Sequence, residues 1–490
     1  MQTAREKLTR IAVKVNGKAC NQPPQNKLAA VIERFFYRHQ NKLVLVHAAM
    51  FCLFLGLILI PLLTPPPPES ANIFSNFTLF AQFLLWGVWF PLVFASVLLT
   101  GRSWCGLFCP MGAASEWTTR IGMGFKIPGW LKWEGTPIFS FLVVTILGQT
   151  VDVRDQATAI AEVFGGMLIL ALLVGFFYGK QTKRAWCRHV CPIGLLLGMF
   201  SRLGIVQFSP KLPRAGGDQY TEKGMCPTMI SINHKQESRH CIECFRCVNP
   251  AAKGGLFLRF RKLGEEIIHI RTNSPSMGEV WFIFLSTGIA LGGFLWLILP
   301  SYQTFRQNMG EWFINHGWDG IGNSGPAWLM SVHPEWRQAY NWLDFITIIG
   351  FMLGSMLFTC SLLSICTLAS SYLAGKLGAD GTLKKRFIEL GYQFAPVAMI
   401  SIIIGLGDTL FTTLHASALK GALLMGSIFW SVYLGNRLLS KQGVQGTKRG
   451  LALIPGFLGS LLIGLAWWPA VVGINFSLLE QYRQHLIILS

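Results

Sequence analysis

Long apolar stretches recur along the chain, separated by short polar and mostly basic segments. A helix that crosses a bilayer needs about 20 mostly apolar residues, because the hydrocarbon layer is about 30 Å thick. The pattern therefore predicts an all-α polytopic membrane protein with about nine transmembrane helices. The predicted spans are 43–63, 78–100, 137–150, 159–178, 280–300, 344–373, 392–410, 419–436 and 451–473, of which 137–150 is the shortest.

Composition excludes several protein classes. Only 13% of the 490 residues are charged, against about a quarter in soluble proteins, while 52% are hydrophobic and 13% aromatic. A large soluble enzyme is therefore excluded, and so are disordered and disulfide-stapled secreted chains. The first 42 residues are polar and basic, so we expect no cleavable signal peptide and interpret 43–63 as an anchor.

The basic residues predict the topology. If the N-terminus is cytoplasmic, the inner segments contain 37 of the 42 Lys and Arg residues, as positive loops on the inner side should. This asymmetry predicts a cytoplasmic N-terminus and a C-terminus on the outer side. The formal charge of +19 then reflects orientation and attraction to membrane lipid, and no nucleic-acid partner is expected.

A duplicated motif is the most informative feature. Residues 102–112 read Arg-Ser-Trp-Cys-Gly-Leu-Phe-Cys-Pro-Met-Gly, and residues 184–194 read Arg-Ala-Trp-Cys-Arg-His-Val-Cys-Pro-Ile-Gly. Each copy follows the inner end of a predicted even-numbered span and so closes a two-helix hairpin. Two equivalent hairpins pack most simply about a pseudo-two-fold axis. This packing would bring four cysteines together at the inner membrane face: Cys105, Cys109, Cys187 and Cys191.

Four thiolates at one point predict a metal site. A 4Fe-4S cluster takes four cysteine ligands, and Cys-x3-Cys-Pro is the closing half of the ferredoxin motif, so two copies supply one full set. Neighbouring arginines would offset the negative charge of the cluster, and tryptophans would shield it. These residues are Arg102, Trp104, Arg184 and Trp186, with Arg188 nearby. Arginine and tryptophan are also ordinary anchors at span ends, and zinc remains an alternative metal.

A second cysteine group lies in the largest inner loop. Cys241, Cys244 and Cys247 have the Cys-x2-Cys-x2-Cys spacing that lets one loop deliver three thiolates to a cluster. The usual fourth cysteine four residues later is missing. We expect Cys226, which precedes a proline, to be the fourth ligand. A three-cysteine cluster, or a ligand from elsewhere such as His240, remains open.

The other thiol and polar groups have mainly structural interpretations, because a lone cysteine usually packs and a lone histidine usually bonds another helix. A quinone or haem site is the alternative for the polar groups within the membrane. They are Cys20, Cys52, Cys360, Cys366, His47, Asp408 and His415. The outer segment 301–343 is rich in tryptophan, which predicts a belt on the outer leaflet or, alternatively, a docking surface for a protein partner. Its aromatic residues include Trp312, Trp318, Trp328, Trp336 and Trp342, with His316 and His333.

On these motifs the first 280 residues resemble a family of membrane-bound 4Fe-4S electron-transfer proteins. The family includes the iron-sulfur membrane component of the quinol dehydrogenase of periplasmic nitrate reductase and the polyferredoxin part of the nitrous-oxide reductase regulator. The two cysteine groups predict two clusters, and the resemblance implies a bacterial inner membrane protein, whose C-terminus the basic residues predict to be periplasmic. It also implies electron relay between a quinone or cytoplasmic donor and a respiratory or metalloenzyme-maturation partner. The chain departs from the family in its single incomplete ferredoxin motif, and residues 281–490 resemble nothing familiar.

Four regions follow from these observations. They are a basic cytoplasmic arm (1–42), a four-span core with the duplicated motif (43–200), a cytoplasmic ferredoxin-like segment (201–279) and a five-span region (280–490). No residue has a predicted catalytic role, and an electron-transfer subunit of an oxidoreductase fits best. A redox-gated transporter or metal-reducing uptake protein is one alternative, and a redox sensor or assembly factor is another.

Overall fold

A computed structural model of the chain describes residues 13–15, 18–20, 26–65, 67–68, 70–180, 183–211, 226–251, 255–333 and 338–472. Trp336, the side chains of Cys20 and His333, and the predicted outer C-terminus after Val472 lie outside the described residues. The described part is mainly helical.

The α-helices are α1 Lys27–His39, α2 Leu43–Leu63, α3 Phe77–Gln82, α4 Phe90–Thr100, α5 Pro110–Thr118, α6 Gly129–Lys132, α7 Gly135–Thr150, α8 Ala157–Tyr178, α9 Gly194–Ser201, α10 Glu265–Ile268, α11 Met277–Ile298, α12 Pro300–Asn315, α13 Trp342–Lys376, α14 Leu383–Gly391, α15 Ala395–Leu406, α16 Asp408–Thr413, α17 Ser417–Lys441, α18 Gly446–Ala466 and α19 Trp468–Val472. The strands form three antiparallel pairs: β1 Val13–Val15 with β2 Lys18–Cys20, β3 Val206–Pro210 with β4 Leu256–Phe260, and β5 Val332–His333 with β6 Gln338–Ala339. A π-helical segment, Phe83–Trp89, joins α3 to α4.

Eight helical segments among the described residues are long and apolar enough to cross a membrane, and they coincide with eight of the nine predicted spans. They are Lys27–Leu63, Phe77–Thr100, Ala157–Tyr178, Met277–Ile298, Trp342–Lys376, Leu383–Leu406, Ser417–Lys441 and Gly446–Ala466. A polytopic helical membrane protein is thereby confirmed. The remaining stretch forms α7, whose 16 residues extend about 24 Å against a hydrocarbon layer of about 30 Å. A ninth span therefore stays a prediction.

The chain divides into two compact units. The first comprises Met1–Gly56, Val93–Ser140 and Gly165–Pro275, and the second comprises Leu57–Leu92, Phe141–Phe164 and Ser276–Ser490. Both copies of the duplicated motif and the second cysteine group belong to the first unit.

In the first unit, a small sheet supports the second cysteine group. Strands β3 and β4 alternate buried and half-buried residues, so one face of the pair turns inward. On that face Phe208 lies opposite Leu258, and both are buried. Helix α1 covers the sheet, because Glu33 Oε1 accepts a hydrogen bond from the amide of Leu258 at 2.5 Å. The apolar pattern alone did not predict this pair, whose strands are separated by a long loop.

A buried network of ion pairs also lies in the first unit. The carboxylate of Glu266 accepts from Nη1 of Arg202 at 2.9 Å and also pairs with Arg261. Ser238 donates to it twice, from its amide at 3.0 Å and its hydroxyl at 2.8 Å. The two arginines hold the pKa of Glu266 at about 2, although burial alone would raise it. The network ties the segment before Cys241 to the helical core.

The second unit is held by close helix packing. Added Cβ atoms at Gly288 and Gly292 of α11 would lie 2.7 and 2.9 Å from the Cα atoms of Met356 and Met352 in α13. Only glycine permits so close an approach here. Small residues spaced four apart commonly let membrane helices pack closely. Helix α15 is buried along almost its whole length.

Among its described residues, the tryptophan-rich segment 301–343 contains most of helix α12. Trp312 is half exposed and stacks on His316 with ring centroids 4.2 Å apart. Trp318 and Trp328 are also exposed, whereas Trp342 begins α13. Both a lipid belt and a docking surface stay predictions.

Candidate metal centre

The duplicated sequence motif is also duplicated in structure. Trp104–Phe108 and Trp186–Val190 each form a single wide π-helical turn. The turn closes when the amide of Cys109 or Cys191 donates to the carbonyl oxygen of the motif tryptophan, at 2.9 Å in both copies. Extended backbone at the closing cysteine and the proline after it then redirect the chain.

The two copies bring their sulfur atoms to the same place. Sγ of Cys109 accepts from the amide of Gly112 at 3.4 Å. A Cβ atom at Gly112 would lie 3.4 Å from Sγ of Cys187, which belongs to the other copy. One glycine is therefore flanked by a thiol from each copy, and the cysteine pairs lie side by side.

The electrostatics of these thiols reflect their proximity. Burial, together with Cys105 and Cys187, raises the pKa of Cys109 to about 12. Burial raises the pKa of Cys187 to about 11 despite the opposing field of Arg184. The pKa of Cys191 is also well above its usual value, because of burial and the other three thiols. Ionisation of these thiols therefore needs additional positive charge nearby, which the irons of a bound cluster would supply.

The second cysteine group surrounds a small cavity. All four of its thiols line that cavity, and Lys235 lies at the same wall. Burial, with Glu243 and Cys226 acting in the same direction, raises the pKa of Cys241 to about 12. The structure thus brings Cys226 to the loop of Cys241, Cys244 and Cys247, whereas His240 does not line the cavity.

Tight turns shape the loop at Cys244. The residues on either side, Glu243 and Phe245, have φ of 51° and 60°, which non-glycine residues rarely adopt. Phe245 fixes the turn, since its ring stacks on Phe36 at 4.0 Å and meets Phe208 edge to face at 5.0 Å. Aromatic packing thus holds a strained loop in place.

Arg184 is the central cation of the first cysteine group. It is fully buried, its Nε donates to Glu116 at 2.6 Å, and its Nη1 donates to the carbonyl oxygen of Cys105 at 2.9 Å. Burial opposes its charge, but Glu116 and Cys187 outweigh burial and raise the pKa of Arg184. A permanent positive charge therefore lies beside these thiols.

Arg102 and the two tryptophans also lie at this group. Arg102 is buried, with Nη2 at 4.0 Å from Sγ of Cys105 and Nη1 donating to the Arg239 carbonyl at 2.6 Å. Trp186 is buried in a cluster with Cys187 and Cys191. Trp104 is half-buried beside Phe108, with centroids 5.6 Å apart. The predicted shielding and charge-balancing roles stay predictions.

The two cysteine groups are in direct contact through Gly106. A Cβ atom there would lie 2.2 Å from the carbonyl oxygen of Ile242 and 2.9 Å from both N and Cα of Cys244. Gly106 follows Cys105 directly, so the backbones that carry the two groups touch. The equivalent residue in the other copy is Arg188, whose Nη1 donates to the carbonyls of Thr228 at 2.5 Å and Met229 at 2.8 Å, just after Cys226.

The roles of Gly106, Glu116 and Arg246 at this site were not predicted from the sequence. One available indication was that Gly106 and Arg188 break the repeat at equivalent positions. No sequence pattern indicates the pairing of Glu116 with Arg246, because the two residues lie in segments that are 130 residues apart.

A cavity of mixed polar and apolar lining lies beside the contact between the groups. Its lining includes His47, Glu116, Trp117, Cys244 and Arg246, and it opens along the start of α2. Nε2 of His47 lies 3.1 Å from the carbonyl oxygen of Gly106. His47, predicted to be mainly structural, thus also lines a cavity beside the cysteine groups.

The other minor candidates lie elsewhere. Asp408 pairs with Lys420, and His415 is exposed with φ of 50°. Cys360 and Cys366 are buried and Cys52 is exposed.

The donor set fits iron-sulfur clusters. Each group offers four thiols, the full ligand count of a 4Fe-4S cluster. Within the described residues, no three His, Cys, Asp or Glu side chains converge tightly enough to hold one metal ion. Each thiolate of a cluster binds a different iron, so a cluster does not need such convergence.

Comparison with known proteins supports the same chemistry. A protein-family model described as a 4Fe-4S binding domain matches residues 82–128 and 163–213, which contain both copies of the motif. An uncharacterized protein of Methanocaldococcus jannaschii is 29% identical over 173 residues, 34% of this chain and 67% of its own length. The ferredoxin-type protein NapH of Haemophilus influenzae is 23% identical over 183 residues, 33% of this chain and 63% of its own.

The regulatory protein NosR of Stutzerimonas stutzeri is 24% identical over 189 residues, covering 33% of this chain and 25% of its own. No solved structure matches the chain. The resemblance to membrane-bound 4Fe-4S electron-transfer proteins is confirmed, and it extends over about a third of the chain.

Proposed function

We propose that this 4Fe-4S protein is a multi-pass component of a bacterial inner membrane that relays electrons through two clusters. One cluster would be held by Cys105, Cys109, Cys187 and Cys191, and the other by Cys226, Cys241, Cys244 and Cys247. When bound, each cluster supplies a one-electron carrier. The N-terminus would be cytoplasmic and the C-terminus periplasmic, as the distribution of basic residues predicts.

The contact at Gly106 carries this proposal. A relay needs its carriers close together, and the backbone after Cys105 packs directly on Cys244. A storage site or two unrelated structural metals would need no such contact. Arg184 also supports a relay, because its field acts on thiols of both groups, Cys187 and Cys244.

A membrane quinone is the proposed exchange partner on one side, with a cytoplasmic donor as the other possibility. The cavity beside Gly106 supports the quinone. It combines polar groups suited to quinone oxygens, among them His47 and Gln40, with the apolar side chains of Leu43 and Val44. The other side would be a respiratory or metalloenzyme-maturation protein, and the ferredoxin-type name of one relative supports an electron-transfer role.

Electron paramagnetic resonance of the purified, dithionite-reduced protein tests the proposal together with iron and sulfide analysis. We expect two cluster signals and about eight irons and eight sulfides per chain. Cys105→Ser and Cys191→Ser should each remove about four irons and one signal. The matched control Cys360→Ser, a buried cysteine in a span, should retain all of them. Bound zinc, or full iron in Cys105→Ser, would contradict the proposal.

A redox-gated transporter is the second candidate because of one observation in the second unit. The buried helix α15 is interrupted at Gly407, and Asp408 at the break pairs with the buried Lys420. Interrupted helices with buried charges commonly bind substrate in transporters. Ion or metal flux in proteoliposomes without an added electron acceptor would favour this function.

A further inference from the structure

We propose that Glu116 is a positioning residue that holds one arginine at each cysteine group and thereby couples the reduction potentials of the two clusters. The inference rests on the proposed function, because it requires both clusters. It concerns a residue that ligates neither of them.

The position of Glu116 follows from the motif. Helix α5 begins directly after Cys109, and Glu116 lies about two turns further on, so it stays beside the first cysteine group. Its side chain is only 12% exposed. One carboxylate oxygen, Oε2, accepts from Nε of Arg184 at 2.6 Å, and the other, Oε1, accepts from Nη2 of Arg246.

The two arginines belong to different groups. Arg184 begins the second copy of the motif and donates to the carbonyl oxygen of Cys105. Arg246 lies between Cys244 and Cys247 in the second group, and its charge favours the thiolate of Cys244. A single carboxylate thus bridges a cation of one site to a cation of the other, with both of its oxygens used.

The field of this bridge reaches both sites. The charge of Arg184 acts on Cys187 and on Cys244, which are members of different groups. Glu116 is ionised near neutral pH, because its arginine partners lower its pKa although burial opposes them. Charges near a cluster set its potential, and they act strongly where water is scarce.

Removing the negative charge has a definite consequence. In Glu116→Gln the two guanidiniums lose their shared counter-charge, so reduced clusters become more stable and both potentials rise. A residue that only stabilised the fold would change the melting temperature or the iron content and leave the potentials of intact clusters unchanged. The potential therefore separates positioning from stability.

The test is a redox titration of the full-length protein in detergent, monitored by electron paramagnetic resonance. We expect Glu116→Gln to raise the midpoint potentials of both signals. The matched control is Glu237→Gln, which removes a carboxylate of similar exposure that also lies between two arginines, Arg202 and Arg239. It should shift both potentials less. Unchanged potentials in Glu116→Gln, a shift of only one signal, or an equal shift in the control would overturn the inference.

A second variant keeps the inference testable if Glu116→Gln does not assemble. In Arg246→Gln the carboxylate of Glu116 keeps its charge and only one partner, so both potentials should fall, most at the cluster of Cys244. A fall confined to that cluster would refute coupling. If wild-type protein lacks two cluster signals, the proposed function fails. If it has both signals and they do not shift, only this inference fails.

Discussion

Replacing Gly106 by alanine tests the contact between the two cysteine groups with the smallest possible change. The added methyl carbon would lie 2.2 Å from the carbonyl oxygen of Ile242 and 2.9 Å from N and Cα of Cys244. All three are backbone atoms, so no side chain can rotate away. The loop that bears Cys244 must move or distort.

The size of the effect follows from these distances. Ordinary contact begins at 3.4 Å, so the loop must retreat by about 1.2 Å at Ile242. The neighbouring core, which includes Phe245 and Val248, is buried and cannot follow without loss of packing. Overpacking of this kind costs about 1 to 3 kcal/mol. The docked state of the loop should therefore become about 5- to 150-fold less favoured.

Hydrogen exchange of the full-length protein in detergent measures this change, because exchange reports the free energy of local opening. We expect amides across residues 241–247 to exchange faster in Gly106→Ala than in wild type by that factor. The matched control is Gly129→Ala in the same unit, where an added methyl group meets open space. Equal exchange across the loop in the two variants would refute the contact, and with it the argument for adjacent clusters.

Further predictions concern two buried polar contacts. Glu266→Gln leaves Arg202 and Arg261 buried with too little counter-charge, so it should cost about 3 to 5 kcal/mol in denaturant unfolding of the first unit. The pKa of Glu266 is lowered to about 2 from 4.5, so its contribution is complete above pH 4.5 and is lost as the pH falls towards 2; the stability difference between wild type and Glu266→Gln should shrink over that interval. In the second unit, Ser401→Ala leaves the indole N–H of Trp467, now bonded at 2.8 Å, buried without an acceptor, which should cost about 1 to 3 kcal/mol and lower the melting temperature.

Controls keep these expectations specific. Glu265→Gln removes the neighbouring carboxylate, whose pair with Arg259 is partly exposed, and should cost less than 1 kcal/mol. A constant difference between wild type and Glu266→Gln from pH 5 to pH 2 would contradict the assigned direction of its pKa. A melting temperature of Ser401→Ala equal to that of wild type would show that the indole finds another partner.

Local repetition explains what could be predicted from sequence. The spacing of the duplicated motif indicated that Cys109 and Cys187 would be neighbours, and both flank Gly112 in the structure. Apolar length located eight helices that could cross a membrane. These features depend on residues close in sequence or on a repeated motif, so a pattern can express them.

Features that depend on distant segments could not be predicted. The pairing of Val206–Pro210 with Leu256–Phe260 joins strands across a long loop, and neither strand is distinctive alone. The bridge at Glu116 has the same origin, since one carboxylate meets arginines from two separate segments. Helix α7 shows a different limit, because apolar composition identified it without settling whether it is long enough to span.

The difference between Gly106 and Arg188 gives two turns of similar backbone shape different contacts. Gly106 leaves room for the backbone at Cys244, whereas Arg188 in the other turn donates hydrogen bonds to the carbonyl oxygens of Thr228 and Met229, just after Cys226. The ferredoxin-like segment therefore contacts the two turns in different ways, although both turns are π-helical and equally long. Exchanging the two residues would place a long cation against the backbone at Cys244 and remove the arginine that donates to the carbonyls after Cys226.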